Sequence, residues 1–427
     1  MNIRDKVLHI TIIGWFFIAY IYLNHVSIDH CSNDFWQHIE YTEIITTQHR
    51  FPAPYDGFQT YHPPFYHLLN SIIIPKSIIE NKQSHAHFGQ LLSIIYGALM
   101  LAIIYLGIKE INKNPKEQIL ILLYIASTPM FTFMYTTYNN DSLANLLSMG
   151  IIVLSYRLYL SWSKNLALLL MILAIIALYT KYTVAASIIA VVAVCLKNLL
   201  KLKYPNLNQK KIILILCSSF LFLIPWLIFH NYYYTGKLFP SNFERQHSKY
   251  EWSTIKSFVR IVLPTAIFKD FSKKWQTVSN HPFGGVATKK YDYWTYIFLN
   301  TVTQGAVFKT PGYTFILFLL ILHLIVYFAG MREIFKTNIT KLAAFVILAA
   351  HTFQIIALIY YHARQPFSAF YGDNPFITYR YFCWDLIGWG ILYGSAVSKE
   401  NINLSKIIIL AIICNCYFLK TVSGCSP

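Results

Sequence analysis

Long apolar runs recur along this chain, and they constrain its fold more than any other feature. Each run approaches the length of about 20 residues that an α-helix needs to cross the hydrocarbon core of a bilayer. The runs predict an all-α polytopic membrane protein with about eleven transmembrane helices. They lie near residues 7–28, 88–108, 118–138, 142–160, 165–180, 183–198, 211–230, 311–330, 342–361, 381–398 and 405–422.

The composition agrees with a membrane protein. Hydrophobic residues make up 56% of the 427 residues and charged residues 12%, whereas a soluble protein carries about a quarter charged residues. The first run follows a short basic segment, 1–6, and is too long for the core of a signal peptide. We therefore expect an uncleaved first transmembrane helix. The segment 66–79 is apolar but brief and contains Pro75, which predicts an interfacial or half-inserted helix.

The distribution of Lys and Arg over the short loops predicts the orientation. With the N-terminus in the cytoplasm, most short-loop cations fall on the cytoplasmic side. The C-terminus and two large extracytoplasmic loops, 29–87 and 231–310, then lie outside. The predicted domains are an N-terminal transmembrane module, 1–230, which contains the first loop, a loop subdomain, 231–310, and C-terminal transmembrane helices, 311–427.

The net charge of +17 indicates the kind of partner that the chain meets. In a membrane protein, anionic lipid is a simpler partner for this excess than nucleic acid. The segment 231–310 carries eleven Lys or Arg and three Trp, which predicts either a basic, aromatic platform over anionic lipid or a solvated interface subdomain. No phosphate-binding loop, dinucleotide fingerprint or zinc motif occurs in the sequence, so nucleotide-sugar donors are not expected.

The first outer loop combines acidic and histidine side chains. Asp29 and Asp34 follow the first apolar run, and His38 comes four residues after Asp34. If 35–46 is helical, Asp34 and His38 share a face. A carboxylate at this position suits the removal of a proton from an attacking hydroxyl. The alternative is that Asp29 or Asp34 only caps a helix, since Asp is a favoured N-cap.

A second polar stretch, 61–66, reads Tyr-His-Pro-Pro-Phe-Tyr. Its two prolines fix a stiff, non-helical entry into the apolar segment that follows, and they hold His62 and Tyr66 at the interface. A structural turn explains the prolines but does not explain the histidine beside them.

These two stretches resemble the GT-C superfamily of glycosyltransferases that depend on polyprenyl-phosphate-linked sugars. The likeness is to the branch of protein O-mannosyltransferase-like and aminoarabinose-transferase-like enzymes. The first loop of that branch typically reads Asp-Glu-x-x-His and is followed by His-Pro-Pro-Leu-Tyr. This chain has Asp34, Phe35 and His38 in the first motif. The usual second acid is therefore missing, and Asp34 is left as the expected base.

Four shorter stretches are similar to the same branch, and all fall at predicted outer ends of helices. They are Asn-Asn-Asp at 139–141, Thr-Lys-Tyr-Thr at 180–183, the segment from Asn231 through Gly236 to Pro240, and Tyr-Arg-Tyr at 379–381. Tyr379 replaces the usual Gly of the last stretch. Their common order and placement carry the resemblance, which covers about the first 240 residues and one late point.

The resemblance implies an inverting glycosyltransferase that moves a sugar from a polyprenyl-phosphate donor to a glycan, lipid or protein acceptor. The expected place is a bacterial inner (plasma) membrane, with the active site on the outer, periplasmic face. Asp34 is the expected base, Asp29 is the reserve candidate, and His38 orients the base. Membrane lipids are further partners and nucleic acid is not. No cofactor or metal ligand is assigned, and a divalent metal stays open. Five residues are expected to bind the donor phosphate or substrate: His62, Tyr66, Asp141, Lys181 and Arg380.

The residues also allow other interpretations. Asp141 is interpretable as an N-cap, and Lys181 and Arg380 as interfacial cations that extend toward water. A phosphate-bearing donor needs such cations, because Arg and Lys neutralise phosphate. The nearest alternative function is a ligase for an oligosaccharide or another lipid-phosphate group. A transporter or flippase fits less well, because transporters usually place their charged residues in mid-membrane.

Overall fold

The computed structural model describes residues 3–25, 35–57, 59–112, 114–201, 207–240, 332, 336–364, 384 and 386–399. Every regular element in these ranges is helical, as the all-α class predicts. The helices are α1 (Ile3–His25), α2 (Phe35–Gln48), α3 (Phe65–Ile73), α4 (Lys76–Ile79), α5 (Lys82–Ile111), α6 (Pro115–Ser127), α7 (Pro129–Thr136), α8 (Asn140–Leu160), α9 (Lys164–Thr180), α10 (Ala185–Lys201), α11 (Leu207–Trp226), α12 (Asn338–Arg364) and α13 (Leu386–Lys399). A 3-10 turn, Tyr182–Val184, precedes α10.

Several of these helices have the length and composition of membrane spans. In the described ranges three are long and apolar enough to cross a bilayer: Lys82–Ile111, Asn140–Leu160 and the extended stretch Leu207–Thr235. Shorter apolar helices cover Leu8–Asn24, Lys164–Thr180, Tyr182–Lys197, Thr340–Phe353 and Leu386–Ser398. The predicted number of about eleven crossings stays a prediction, because the runs near 311–330 and 405–422 lie outside the described residues.

The chain forms two compact units, and each combines separate stretches of sequence. The first unit comprises Met1–Asn33, Asn114–Thr136 and Gln246–Pro427, and the second comprises Asp34–Lys113 and Thr137–Arg245. The domains expected from the topology, with boundaries at 230 and 310, stay a prediction, because most of the second outer loop lies outside the described residues.

Within the first unit, aromatic and small side chains pack the helices. Trp15 of α1 is buried and meets the rings of Phe131 and Tyr135 edge to face, with centroids 5.2 and 6.4 Å away. Gly394 of α13 allows a close approach to α6, since a Cβ at that position would lie 2.8 Å from Cγ1 of Ile121. Small residues at such contacts are typical of helices that pack in lipid.

The apolar run near 118–138 is predicted as one helix, and the structure corrects this. Helix α6 ends at Ser127 and α7 begins at Pro129, with Thr128 in an extended conformation between them. The ring of a proline clashes with a helical conformation at the preceding residue, which explains the break. The hydroxyl of Thr128 donates to the carbonyl of Tyr124 at 2.8 Å and so satisfies one carbonyl of the helix end.

In the second unit, short polar side chains start the helices. Asn81, Asn139 and Ser163 accept hydrogen bonds from backbone N–H groups at the starts of α5, α8 and α9. The brief segment predicted at 66–79 forms two short helices, α3 and α4, which are separated at Pro75. These helix starts position the polar side chains of the candidate functional site.

Helix α11 extends further than the sequence predicts. The second outer loop is expected from residue 231, but the helix continues through a π-helical turn, Leu227–Tyr232, and one more turn to Thr235. It ends at Gly236, whose φ of +70° is the left-handed conformation that commonly follows a helix. A π-helical turn widens the helix locally and often occurs at functional sites. Here it carries two buried polar residues, His230 and Asn231.

Candidate functional site

Buried polar side chains from four parts of the second unit meet in one cluster. We term this cluster the histidine–tyrosine network, and its members are His38 and Thr42 of α2, His67 and Asn70 of α3, His85 of α5, and Tyr138 just before α8. Each side chain is at most 2% exposed. Polar groups buried to this extent destabilise a fold unless they bond to one another, which these do.

Tyr138 has the most partners in the network. Its hydroxyl lies 3.1 Å from Oγ1 of Thr42, 3.2 Å from Nε2 of His85 and 3.3 Å from Nδ2 of Asn70. Oγ1 of Thr42 also lies 3.4 Å from Nδ1 of His67. One phenol therefore links helices α2, α3 and α5.

His67 connects this phenol-centred group to the start of α2. Nε2 of His67 lies 3.4 Å from Nδ1 of His38, and the two imidazole rings stack with centroids 5.2 Å apart. The ring of Tyr41 also stacks on His67, at 4.0 Å. Residues three and four apart share a helix face, so His38, Tyr41 and Thr42 present one polar face of α2 to α3.

Local sequence explains how these side chains reach one another. The proline pair before α3 delays the start of that helix to Phe65, and Tyr66 then lies 5.9 Å from His38 and 5.8 Å from Tyr138 between ring centroids. On α5, Gly89 leaves room for the Tyr138 ring, since a Cβ there would lie 2.2 Å from its Cδ2 atom.

Burial keeps His67 and two adjacent phenols, Tyr41 and Tyr66, uncharged near neutral pH. Burial lowers the pKa of the His67 imidazole well below its usual value, and the nearby charge of His38 lowers it further. Burial also raises the pKa values of the Tyr41 and Tyr66 phenols well above the usual value for tyrosine. These groups therefore act as neutral hydrogen-bond donors and acceptors.

A buried ion pair lies at the start of α8. Nζ of Lys181 donates to Oδ1 of Asp141 at 2.6 Å and to Oδ1 of Asn140 at 3.0 Å. The side chains of Lys181 and Asp141 are 6% and 1% exposed. Two opposite charges at this depth offset the cost that each would have alone.

This pair corrects two interpretations of the sequence. The N-cap of α8 is Asn139, whose side chain accepts from the N–H of Ser142, so the interpretation of Asp141 as the cap is wrong. Lys181 does not extend toward water, because it is buried against the carboxylate of Asp141. A single sequence does not show that these two residues, forty positions apart, are partners.

A third polar group surrounds the π-helical turn. Nε2 of His230 lies 2.8 Å from the carbonyl oxygen of Pro52. Nδ2 of Asn231 donates to the hydroxyl of Tyr182 and to the carbonyl of Leu238, both at 2.8 Å. The turn thus ties the end of α11 to the segment that follows α2 and to the 3-10 turn before α10.

The structure accounts for two more of the predicted residues. Tyr66 is buried and contacts the histidine–tyrosine network through its ring. His62 is 9% exposed, and its carbonyl accepts a hydrogen bond from the hydroxyl of Tyr41 at 3.2 Å.

Three predicted residues lie outside the described residues: Asp29, Asp34 and Arg380. Asp34 is one residue before the first residue of α2, Phe35. The roles of these three residues stay predictions.

The sequence did not predict five members of the network: Thr42, His67, Asn70, His85 and Tyr138. The available signal is local, since His67 directly follows Tyr66, and Thr42 is one turn beyond His38. A histidine within an apolar helix is commonly a core residue, so its partners become visible only when the helices are assembled.

No three His, Cys, Asp or Glu side chains come close enough to hold a metal ion within the described ranges. The network histidines bond to each other and to hydroxyl groups instead. The described part of the site therefore offers prearranged neutral dipoles and one balanced ion pair, an arrangement that stabilises developing charge in a buried setting.

No protein-family model and no curated protein sequence matches this chain. Solved structures do match. ArnT from Cupriavidus metallidurans bound to undecaprenyl phosphate has a TM-score of 0.56 at 12% identity, over 97% of this chain and 64% of that one. The Archaeoglobus fulgidus oligosaccharyltransferase tethered to an acceptor peptide gives 0.54 at 14% identity, over 98% and 54%. AglB from the same organism, with an inhibitory peptide and a dolichol-phosphate, gives 0.53 at 13%, over 98% and 55%.

These matches show the fold. The chain shares its fold with ArnT and with the archaeal oligosaccharyltransferase, as expected from the resemblance of its motifs to the GT-C superfamily. It spans between 54% and 64% of the length of these three structures. The archaeal oligosaccharyltransferase is also described in a complex with Zn and sulfate.

Proposed function

We propose that this chain is an inverting glycosyltransferase that moves a sugar from a polyprenyl-phosphate donor to an acceptor hydroxyl on the extracytoplasmic face of a membrane. One observation carries the proposal. Nearly the whole chain shares its fold with ArnT bound to undecaprenyl phosphate and with AglB in complex with a dolichol-phosphate. The buried polar groups of the second unit support it, because transfer of a phosphate-linked sugar requires prearranged dipoles and charges.

In the proposed reaction, the acceptor oxygen forms a bond to the anomeric carbon while the bond from that carbon to the phosphate oxygen breaks. Asp34 takes the proton of the attacking hydroxyl. The electron pair of the broken bond stays on the lipid phosphate, which leaves without its own general acid because it is already anionic and held by cations. A single displacement inverts the anomeric centre. Because the phosphate leaves without an acid, one carboxylate suffices where hydrolases use two.

The position of α2 supports Asp34 as the base. The helix begins at Phe35, so Asp34 immediately precedes a segment that the histidine–tyrosine network holds in place. His38, one turn into the helix, is the proposed residue that orients the base. Asp29 is the reserve candidate for the same role.

Arg380 is the proposed main ligand of the donor phosphate, with Lys181 and His62 as further ligands. A guanidinium group binds phosphate through two parallel N–H bonds, which suits Arg380. Lys181 already faces Asp141, so the net positive charge that the phosphate needs falls mainly to Arg380. Tyr66 and Asp141 complete the proposed substrate-binding set.

The proposal includes a topology of about eleven crossings with the site on the outer face. A bacterial inner membrane with a periplasmic site is the proposed location, and its anionic lipids are proposed partners of the basic second loop. The acceptor is a glycan, a lipid or a protein.

A ligase that moves a whole oligosaccharide is the second candidate. The likeness to the archaeal oligosaccharyltransferase, which covers 98% of this chain, favours it. Both candidates use a lipid phosphate as the leaving group, so the leaving group does not distinguish them. The mass added to the acceptor does. A divalent metal stays an open part of either proposal, and no step above uses one.

Binding of the lipid carrier tests the proposal. Native mass spectrometry of the detergent-solubilised protein, titrated with undecaprenyl phosphate, is expected to show saturable binding. Undecaprenol, which has the same chain without the phosphate, serves as the matched control and is expected to bind weakly. Equal binding of the two lipids would contradict a phosphate-specific site.

A further inference from the structure

The hydrogen bonds of the histidine–tyrosine network determine where its protons lie, and the assignment starts at Thr42. Its hydroxyl lies 3.0 Å from the backbone carbonyl of His38, and a carbonyl oxygen only accepts. The single proton of the Thr42 hydroxyl is therefore directed to that carbonyl. Every other group near Oγ1 of Thr42 must donate to it.

Two neighbours of Thr42 consequently act as donors. The hydroxyl of Tyr138, 3.1 Å away, donates to Oγ1 of Thr42, and Nδ1 of His67, 3.4 Å away, carries a proton that points to the same oxygen. Oγ1 has two lone pairs, so it accepts both bonds.

The remaining neighbours of Tyr138 agree with this assignment. The phenol of Tyr138 donates its proton to Thr42, so its oxygen can only accept its other hydrogen bonds. Nε2 of His85 must therefore donate to this oxygen, as Nδ2 of Asn70 does. Nδ1 of His85 is then an unprotonated nitrogen, and it is buried with no hydrogen-bond partner among the described residues. A buried lone pair without a partner costs less than a buried N–H without one.

The protonation of His67 in turn determines which nitrogen of His38 carries a proton. His67 is buried, and its pKa lies well below the usual value, so it is neutral and has one proton, which is on Nδ1. Its Nε2 is therefore an acceptor. The ring atom that faces it at 3.4 Å, Nδ1 of His38, must carry a proton.

We propose that His67 is a positioning residue for the transfer reaction. It accepts the Nδ1–H of His38 and thereby confines the exchangeable proton of His38 to Nε2. The proposal rests on the proposed function, because His38 is the residue proposed there to orient the base. His38 gains or loses its proton only at Nε2, whether it is neutral or charged. A ring fixed in this way keeps the same nitrogen available for proton exchange in every turnover.

Among the described residues, the titratable groups that face His38 and His67 are Tyr41, Tyr66, Tyr138, His85 and Lys181. The pKa values of Tyr41 and Tyr66 are raised by burial, so these two phenols keep their protons. Lys181 is a cation whose charge disfavours a second positive charge on His67, which keeps that ring neutral.

Two variants of His67 separate positioning from packing. His67→Phe keeps a flat ring against Tyr41 and removes both nitrogens. His67→Gln supplies an amide oxygen that accepts from His38 and an N–H group that donates to Thr42. His85→Phe is the matched control, because His85 bonds to Tyr138 and not to His38.

Nitrogen NMR of histidine-labelled protein reads the protonated atom of His38, and His38→Gln assigns its signals. In the wild-type protein, in His67→Gln and in His85→Phe, we expect neutral His38 to carry its proton on Nδ1. In His67→Phe we expect both tautomers of His38. A wild-type His38 that carries its proton on Nε2 alone, or a His67→Phe variant with an unchanged His38, would overturn the proposal.

Measurements of turnover test whether this protonation state of His38 contributes to catalysis. With a polyprenyl-phosphate sugar as donor, His67→Phe is expected to lower kcat on the order of tenfold or more with little change in KM, and His67→Gln to restore most of it. A purely structural role would lower activity only in proportion to folded protein and would leave the tautomer unchanged. The NMR result does not depend on the reaction, so it distinguishes a failure of this proposal from a failure of the proposed function.

Discussion

The ion pair between Lys181 and Asp141 places two opposite charges where little water reaches them. Lys181→Met is expected to destabilise the protein by about 3 to 5 kcal/mol, because it leaves the Asp141 carboxylate buried without its cation. Thermal unfolding in detergent measures the change.

The double variant Lys181→Met with Asp141→Asn is the control. It removes both charges, so its unfolding temperature is expected to lie between those of Lys181→Met and the wild type. A single variant as stable as the wild type would show that the pair does not form in the protein.

A second prediction for a single residue concerns Arg380, which lies outside the described residues. Arg380→Ala is expected to weaken binding of undecaprenyl phosphate by about tenfold or more, and Arg380→Lys to restore it only in part, because an ammonium group cannot form the paired N–H bonds of a guanidinium. The titration by native mass spectrometry gives both affinities. Unchanged affinity in Arg380→Ala would remove Arg380 from the phosphate site.

At the scale of helices, Gly89 determines how closely α5 packs against the aromatic ring of Tyr138. A Cβ at this position would lie 2.2 Å from that ring, so Gly89→Ala must move the ring and break its bonds to Thr42 and His85. We expect a lower unfolding temperature, together with a loss of turnover.

Gly150→Ala is the matched control in α8. A Cβ there would meet only Cδ1 of Leu173, at 3.7 Å, which is an ordinary contact. Since alanine favours a helix more than glycine does, by up to about 1 kcal/mol, we expect equal or higher stability. If Gly89→Ala and Gly150→Ala behave alike, the close contact at Gly89 does not hold the network together.

The helices themselves follow from the apolar runs, because a run of the right length in lipid must form a helix. The sequence predicts the helical class and the brief segment before α5. It misses the break at Thr128 and the π-helical turn at Leu227–Tyr232, although Pro129 is a local signal for the first. A π-helical turn depends on tertiary contacts, here those of His230 and Asn231, and has no comparable local signal.

The site is predicted less completely than the helices, for a physical reason. His38, Tyr66, Lys181 and Asp141 are polar residues at helix ends, which a sequence reveals. The bonds from His38 to His67 and from Lys181 to Asp141 join residues 29 and 40 positions apart, and only packing brings them together. The roles of side chains that act through such a partner could therefore be assigned only from the structure.

At the scale of the whole molecule, the topology decides which side of the membrane the site faces. Single cysteines at Pro205 and Arg245 in intact cells test it. A membrane-impermeant thiol reagent is expected to label the cysteine at 245 and not the one at 205, because the excess of cations in the short loops marks the cytoplasmic side. Permeabilised cells provide the control, in which both positions react. Labelling at 205 alone in intact cells would invert the orientation and contradict the proposed mechanism.

Transfer of sugar by proteoliposomes tests the central claim most directly. The wild-type protein, Asp34→Asn and Asp29→Asn are each supplied with a panel of polyprenyl-phosphate monosaccharides and an extract of envelope acceptors, and the polyprenyl phosphate released is measured by mass spectrometry. We expect Asp34→Asn to keep donor binding and to lose about 10²-fold or more in turnover, because the amide keeps the shape of the carboxylate but cannot take a proton. Asp29→Asn is expected to retain most of its turnover. Normal turnover in a folded, donor-binding Asp34→Asn variant would contradict Asp34 as the base.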